Sequence, residues 1–268
     1  MQLRKRLVFG LSLMLLSCGN LYATQDQETT YEPRVGQPGK DVVWVPTPQV
    51  LVEQMLDLAQ VIQQDYVIDL GSGDGRTVIT AAKRGARAHG IEYEAEMVKL
   101  AIQNALDAGV EDKATFEQAD LFEKDLSQAD VITMFLLPSI NMRLRPRLLE
   151  LRPGTRIVSN TFTMEDWGAD ETITVTAGCT SWCTALLWLV PANVEGTWET
   201  SGKTLTLTQE FQIVNGKLGD VEIFEGKLRG DRISFKVGNV NYSGLVNGDA
   251  MKGTIDTTPP TTWNALRK

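Results

Sequence analysis

One short stretch constrains the fold more than any other: an apolar segment that runs directly into three closely spaced glycines. Residues 66–70 read Tyr-Val-Ile-Asp-Leu, and Gly71, Gly73 and Gly75 follow at alternate positions before a helical segment begins. Glycine tolerates positive φ and lets a ligand approach the bare backbone, while the first amides of the following helix point their positive dipole end at that ligand. With the acidic Asp69 before the glycines, this context predicts a nucleotide-binding turn.

Strand and helix signals alternate from residue 42 to residue 191. The run 131–137 is nearly all apolar, as expected of a strand buried on both faces of a parallel sheet. Repeated β–α units of this kind predict a doubly wound α/β fold with helices on both faces. The predicted strands are residues 66–70, 87–93, 114–118, 131–137, 156–161, 172–176 and 184–190, and the predicted helices are residues 50–62, 76–84, 94–108 and 144–149.

After residue 191 the sequence changes to short alternating segments separated by tight-turn signals. Asn215-Gly216, Gly230-Asp231 and Asn247-Gly248 are pairs typical of β-hairpin turns. Residues 192–268 therefore predict a small antiparallel β-meander, either open or curled into a partial barrel. A sheet this small needs a packed face, so we expect it to pack against the first domain.

The spacing of the glycines separates two classes of cofactor. A dinucleotide fold wants a small residue five positions after the first glycine, and Arg76 occupies that position. The pattern Asp69-x-Gly71-x-Gly73-x-Gly75 instead resembles the first motif of class I S-adenosylmethionine (SAM) dependent methyltransferases. Their seven-strand doubly wound sheet ends in an antiparallel hairpin. The resemblance covers residues 42–191 and implies SAM as the cofactor.

The resemblance also assigns site residues. An acidic residue at the end of the second strand holds the ribose hydroxyls in that family, and Glu92 matches it. An acidic residue after the third strand contacts the adenine amino group, and Asp120 matches that. Residues 135–138, Phe-Leu-Leu-Pro, occupy the segment that faces methyl donor and acceptor. The full set of implied cofactor-binding residues is Thr47, Asp69, Gly71, Ser72, Gly73, Gly75, Glu92, Asp120, Leu136 and Pro138.

Within the family, the Val-Pro-Thr-Pro of residues 45–48 together with the glycine motif most resembles a branch that includes protein-lysine methyltransferases. That likeness places Thr47 near the methionine end of the cofactor. The sulfonium already activates the methyl group, so the protein mainly aligns the reactants and excludes water. A protonated lysine would still need a base. Asp166, after the fifth strand, is the candidate, and a solvated loop carboxylate is the alternative interpretation.

Other chemistry finds little support. His89 is the single histidine, which disfavours Ser-His-Asp hydrolysis, and no metal site is expected. Cys179 and Cys183 flank a predicted hairpin turn, where either a disulfide or two small apolar residues would fit. Four late tryptophans have a spacing more typical of sheet packing than of a ligand cage; they are Trp182, Trp188, Trp198 and Trp263.

The amino terminus predicts export. Arg4, Lys5 and Arg6 precede an apolar run, residues 7–17, that is too short to span a bilayer, as in a secretory signal peptide. Two cleavage sites remain open: a lipoprotein leader 1–17 with Cys18 lipidated, or a signal peptide 1–23. The polar residues 24–41 predict a flexible tether. We expect a periplasmic or lipid-anchored protein of the bacterial envelope, with membrane contact only through a lipid anchor.

Two functions follow from these patterns. The first is a methyltransferase acting on an unidentified acceptor, a protein lysine, a small molecule or a lipid. The formal charge of −8 and the pI of about 4.9 disfavour a nucleic-acid partner. SAM is made in the cytoplasm, and nothing in the sequence supplies it outside. The second function is therefore a non-catalytic or SAM-binding envelope protein that uses its β-domain to bind partners.

Overall fold

The computed structural model describes residues 31–40 and 43–268. Residues from Pro33 to Lys268 form one compact unit. The predicted leader, residues 1–17 or 1–23, and the predicted lipidation of Cys18 lie outside the described residues. Within the described part of the chain, none of the helices has the length and apolar character needed to cross a bilayer.

The first part of the chain forms a seven-stranded sheet in the order β3-β2-β1-β4-β5-β7-β6. The first five strands run parallel, and β7 runs antiparallel to both of its neighbours. The strands are β1 (Tyr66–Leu70), β2 (Arg87–Glu92), β3 (Ala114–Gln118), β4 (Val131–Met134), β5 (Arg156–Asn160), β6 (Glu171–Thr174) and β7 (Thr184–Leu189). The predicted doubly wound sheet is confirmed.

Helices cover both faces of this sheet. They are α1 (Gln49–Leu58), α2 (Arg76–Lys83), α3 (Ala95–Asp107) and α4 (Pro138–Leu149). Successive residues of a strand point to opposite faces, so Val67 packs in the cluster that contains α1 and α2, while Ile68 packs in the cluster that contains α4. Helix α4 begins at Pro138, six residues before the predicted start, because proline is well suited to the first helical position.

The rest of the chain forms a closed antiparallel barrel of eight strands. They are β8 (Gly196–Thr200), β9 (Lys203–Glu210), β10 (Ile213–Leu218), β11 (Val221–Arg229), β12 (Arg232–Val237), β13 (Val240–Asn247), β14 (Ala250–Ile255) and β15 (Thr261–Arg267). Trp198, Phe235 and Trp263 fill its interior with aliphatic neighbours. The predicted small antiparallel β-domain is confirmed, but it is fully closed. Closure depends on Arg267 pairing with Trp198, a long-range contact that no local pattern reveals.

The barrel is fixed to the sheet near the amino end of β6, on the side of the amino ends of the parallel strands. Gln212 is buried and its Nε2 donates to the Gly168 carbonyl at 2.7 Å, and the Phe211 ring stacks on Trp167. Arg229 forms an ion pair with Glu171, the first residue of β6. These contacts leave the carboxyl ends of the parallel strands, at the other end of the sheet, free of the barrel.

Candidate functional site

A cavity of about 600 Å³ lies at the carboxyl ends of β1, β2 and β4. The strand order changes direction here, because β2 and β4 lie on opposite sides of β1. Ligands of doubly wound sheets bind at such a point. The wall is formed by residues 71–74, by the residues that follow β2, β3 and β4, by residues 37–40 and 43–47, and by Phe162 and Trp182.

The glycine turn, residues 71–75, needs its glycines for conformational and steric reasons. Gly71, Gly73 and Gly75 have φ values of +75°, +52° and +82°, in the left-handed region that side chains with a Cβ disfavour. A Cβ on Gly73 would also stand 2.7 Å from Nε1 of Trp44. The turn therefore presents bare backbone to the cavity, and Gly75 caps the amino end of α2.

Ser72 supplies an independent sign that the turn holds a polar ligand. Its side chain is buried and lines the cavity, yet its Oγ finds no hydrogen-bond partner among the described residues. A buried hydroxyl without a partner costs free energy, typically about 1–3 kcal/mol. A ligand with polar atoms would satisfy it, so the turn fits a nucleoside cofactor.

Glu92 is held rigidly beside this turn. Its Oε2 accepts the Gly73 N–H at 2.9 Å, and its Oε1 accepts the N–H groups of Tyr93 at 2.8 Å and Glu94 at 3.0 Å. An ionised carboxylate has about four acceptor positions, so lone pairs remain for a ligand. The orientation of the carboxylate is set by the backbone rather than by flexible side chains.

Asp69 is a buried carboxyl whose pKa is raised to about 7, chiefly by burial. The Thr133 hydroxyl donates to its Oδ1 at 2.6 Å and opposes the shift. The charged groups that act on it, Glu92 and Asp74, are both acidic and raise the pKa further. The cavity wall therefore contains a carboxylate that a cationic ligand group would stabilise.

Asp120, which follows β3, also lines the cavity. Its Oδ1 accepts the Phe122 N–H at 2.9 Å, and its Oδ2 accepts Nζ of Lys40 at 2.6 Å. These two bonds, with Lys40 the stronger influence, hold the pKa of Asp120 below its ordinary value. Lys40 also lies 4.2 Å above the Tyr93 ring.

Residues 33–40 differ from the flexible tether predicted for residues 24–41. The Gly36 N–H donates to the Trp44 carbonyl at 2.8 Å, and the Trp44 N–H donates to Gln37 at 2.9 Å. Residues 37–40 line the cavity. A polar, proline- and glycine-rich composition concealed this packing, since the backbone bonds and Lys40 anchor the segment rather than an apolar stripe.

Most of the predicted cofactor-binding residues share this cavity. Gly75 and Pro138 do not line it; each begins a helix whose preceding residues do. Thr47 is buried and its Oγ1 accepts Nδ2 of Asn160 at 3.3 Å. The predicted residues that line the wall are Thr47, Asp69, Gly71, Ser72, Gly73, Glu92, Asp120 and Leu136.

Asp166 is placed elsewhere. It does not line the cavity, its side chain is 62% exposed, and it forms an ion pair with Arg145. That ion pair holds the pKa of Asp166 below its ordinary value. A surface carboxylate with a low pKa is a poor base for an acceptor in the cavity, so the structure supports the alternative interpretation of a solvated loop residue.

Aromatic residues complete the wall, and the sequence patterns did not single most of them out. Trp188, Trp198 and Trp263 are buried packing residues, whereas Trp182 is 41% exposed and lines the cavity. Trp182 lies between Cys179 and Cys183, which form a disulfide with their Cα atoms 5.9 Å apart. The CxxxC spacing was the one local signal that this loop is constrained.

Comparison with known proteins now identifies the cavity. Residues 69–171 match the model of the ANTKMT methyltransferase domain. A solved structure from Salinibacter ruber, described as an RNA methyltransferase in complex with S-adenosyl-L-homocysteine, is 47% identical, covers 56% of this chain and 96% of its own, and superposes with a TM-score of 0.53.

Two curated relatives are named as lysine methyltransferases. A protein-lysine N-methyltransferase of Saccharolobus islandicus is 45% identical over 140 residues, 51% of this chain and 87% of that enzyme. The adenine nucleotide translocase lysine N-methyltransferase of Mus musculus is 37% identical over 103 residues, 38% of this chain and 45% of that enzyme. The chain thus spans most of the archaeal relative and less than half of the mouse relative.

The glycine turn, the acidic side chains of the cavity and these similarities agree with one another. An identity of 45% over 87% of the length of a relative shows common family membership and not only a similar fold. The chain belongs to the SAM-dependent methyltransferases, and its cofactor is S-adenosylmethionine.

Proposed function

We propose that the protein transfers a methyl group from SAM to the side-chain amine of a protein lysine. The observation that carries this proposal is the 45% identity to a protein-lysine N-methyltransferase over 87% of that enzyme. The formal charge of −8 supports a protein acceptor over RNA, because nucleic-acid binding draws on basic surfaces. The Salinibacter neighbour, described as an RNA methyltransferase, makes RNA the second candidate acceptor.

We assign the ribose and adenine roles that the family resemblance implies, and the contacts of the cavity support them. Glu92, fixed by three backbone amides, would accept the two ribose hydroxyls. Asp120 would accept the adenine amino group. Asp69, buried among acidic neighbours, would pair with the ammonium of the methionine portion. When bound, SAM supplies a methyl group already activated by its sulfonium.

The proton of an acceptor ammonium is a separate matter. Asp166 lies on the surface with Arg145, so it does not reach an amine in the cavity. We propose that the acceptor loses its proton to solvent before transfer. Alignment of the neutral amine and exclusion of water remain the contribution of the cavity wall.

Replacing Glu92 by alanine should weaken S-adenosylhomocysteine binding at least about tenfold, because hydrogen bonds to a charged group contribute about 1.5–3 kcal/mol each. Isothermal titration calorimetry measures this directly. The matched control is Glu96→Ala, since Glu96 is exposed on α3 and pairs only with Lys99 among the contacts described. Equal losses in both variants, or no loss in Glu92→Ala, would contradict the ribose role.

Binding should also depend on pH through Asp69. Its folded pKa of about 7 means that the carboxyl is protonated below pH 7 and must ionise to pair with an ammonium. Affinity for S-adenosylhomocysteine should therefore rise with pH, by up to about tenfold per unit below pH 7, and level off above it.

Asp69→Asn should bind more weakly at pH 8 and lose most of this pH dependence. Because the folded state holds the proton of Asp69 more tightly than the unfolded chain, the stability of this variant relative to the parent should be greater at pH 8 than at pH 5.5. Asp107→Asn, at an exposed position of α3, is the control. Calorimetry and thermal melts from pH 5.5 to 8.5 measure both effects, and an unchanged pH profile in Asp69→Asn contradicts the assignment.

The acceptor class can be determined from labelled products. The purified protein is incubated with methyl-labelled SAM and separate protein, RNA and lipid fractions of a bacterial host. We expect label in the protein fraction, recovered as methyl-lysine after acid hydrolysis, and less of it with the Glu92→Ala variant at a limiting SAM concentration. If the label is recovered as methylated nucleosides, the acceptor is RNA and not a protein lysine. Tight cofactor binding without transfer to any fraction would favour the non-catalytic envelope protein.

We further propose that the protein is exported, as residues 1–23 predict. Cell fractionation of a bacterial host should place it in the envelope. Palmitate labelling then separates the two leaders: label that is lost in Cys18→Ser supports lipidation, and label that survives this change rules it out. Recovery in the cytoplasm with an uncleaved leader would contradict export.

A further inference from the structure

Three aromatic rings meet at one side of the cavity. The ring centroids of Phe135 and Phe162 lie 5.8 Å apart, those of Phe135 and Trp182 lie 5.9 Å apart, and those of Phe162 and Trp182 lie 5.3 Å apart. All three residues line the cavity. We call this cluster the aromatic wall. Ring faces attract cations, and aromatic cages are a known means of binding methylated amines.

The wall is separate from the residues assigned to ribose and adenine. Glu92 ends β2 and Asp120 follows β3, whereas the three rings come from the ends of β4, β5 and β7. In the order β3-β2-β1-β4-β5-β7, these two groups lie on opposite sides of β1. Neighbouring strands are about 4.8 Å apart, so β2 and β5 are separated by roughly 14 Å. The aromatic wall therefore lies on the opposite side of the cavity from the residues assigned to the adenosine part of the cofactor.

Trp182 is held in place by covalent and backbone constraints. Its φ is +57°, a left-handed conformation that non-glycine residues adopt only where the surroundings impose it. The disulfide between Cys179 and Cys183 closes the loop around it. The Cys183 carbonyl accepts the Val175 N–H at 2.8 Å, which fixes the loop to its own hairpin. The backbone that carries the exposed indole is thus constrained.

Phe162 is fixed to the same part of the sheet. Its carbonyl accepts the Ser159 hydroxyl at 2.8 Å and Nδ2 of Asn141 at 3.3 Å. The preceding Thr161 N–H donates to the Thr184 carbonyl at 2.7 Å, next to the disulfide. The loop that carries Trp182 and the loop that carries Phe162 are therefore joined, and the wall is preorganised.

We propose that the aromatic wall is the acceptor site, and that Trp182 is its specificity-determining residue. The proposal rests on the proposed lysine activity. The lysine side chain packs against the rings, with its nitrogen beside the ring faces on the cavity side. As the nitrogen lone pair forms the new N–C bond and the S–C bond breaks, the positive charge passes from sulfur to nitrogen, where the ring faces stabilise it. A proton then leaves for water before any further transfer.

The disulfide gives the site a second property. Opening it releases Trp182 from the only covalent constraint on its loop among the described residues, so the wall should loosen while the glycine turn and Glu92 stay in place. Acceptor binding should then require the oxidised pair. Such a bond persists in an oxidising compartment, which agrees with the predicted export.

The test measures amine binding without needing turnover. The protein saturated with S-adenosylhomocysteine is titrated calorimetrically with Nα-acetyl-lysine methylamide and its Nε-trimethyl form. The trimethyl probe should bind more tightly, since its charge is more easily desolvated. Trp182→Ala should weaken it roughly 3- to 10-fold, and Trp182→Phe should restore most of the loss. Phe224→Ala, an exposed barrel aromatic, is the control and should bind like the parent.

A second arm addresses the disulfide. The double variant Cys179→Ser, Cys183→Ser should show the weakened probe binding of Trp182→Ala, and adding dithiothreitol to the parent should reproduce it. The double variant itself should not respond to dithiothreitol, which excludes an effect through Cys18. Affinity for S-adenosylhomocysteine should be unchanged in every variant, which shows that each is folded.

The outcomes separate this inference from the proposed function. If Trp182→Ala methylates lysine with unchanged probe affinity and acceptor KM, the aromatic wall is not the acceptor site, and the proposed activity still holds. Trp182-dependent binding of the trimethyl probe without lysine methylation would keep an amine site and overturn the lysine assignment. Failure of the parent to bind either probe would overturn the acceptor site.

Discussion

The hydrogen bond from the Gly73 N–H to Glu92 ties together the parts of the cavity. It joins the turn after β1 to the end of β2, and it exists only because the glycine turn takes positive φ at alternate residues. The same backbone path brings Ser72 and Asp69 to the cavity wall. A side chain at Gly73 would collide with Trp44. Residues 43–47, which line the cavity, could then not pack against the glycine turn as they do.

Acidic groups concentrated in one cavity make the site costly for the protein alone. Raising the pKa of Asp69 from 3.8 to about 7 corresponds to a cost on the order of 4 kcal/mol when the carboxyl is ionised. A packed core would not retain such a group for stability, and the Thr133 hydroxyl offsets only part of the cost. A cationic cofactor relieves it, so the arrangement is tuned to the bound state.

The two ends of the sheet have separate tasks. The barrel is fastened at the amino ends, through Gln212 and Phe211, and the cavity opens at the carboxyl ends. Because the barrel and the cavity lie at opposite ends of the sheet, the barrel does not close over a bound cofactor. The acceptor side is shaped instead by the hairpin between β6 and β7, where the disulfide loop presents Trp182 to the cavity.

The doubly wound sheet, the small β-domain and the cofactor class could all be predicted from the amino-acid sequence, because β–α alternation, hairpin-turn pairs and the spacing of Gly71, Gly73 and Gly75 are local patterns. The same patterns located Glu92, the last residue of β2, and Asp120, two residues after β3. Four features appear only in the folded molecule: the barrel closes, Asp166 lies on the surface, residues 37–40 line the cavity, and Trp182 meets Phe135 and Phe162. Each of these depends on contacts between residues far apart in the chain, and such contacts leave no periodicity in the local sequence.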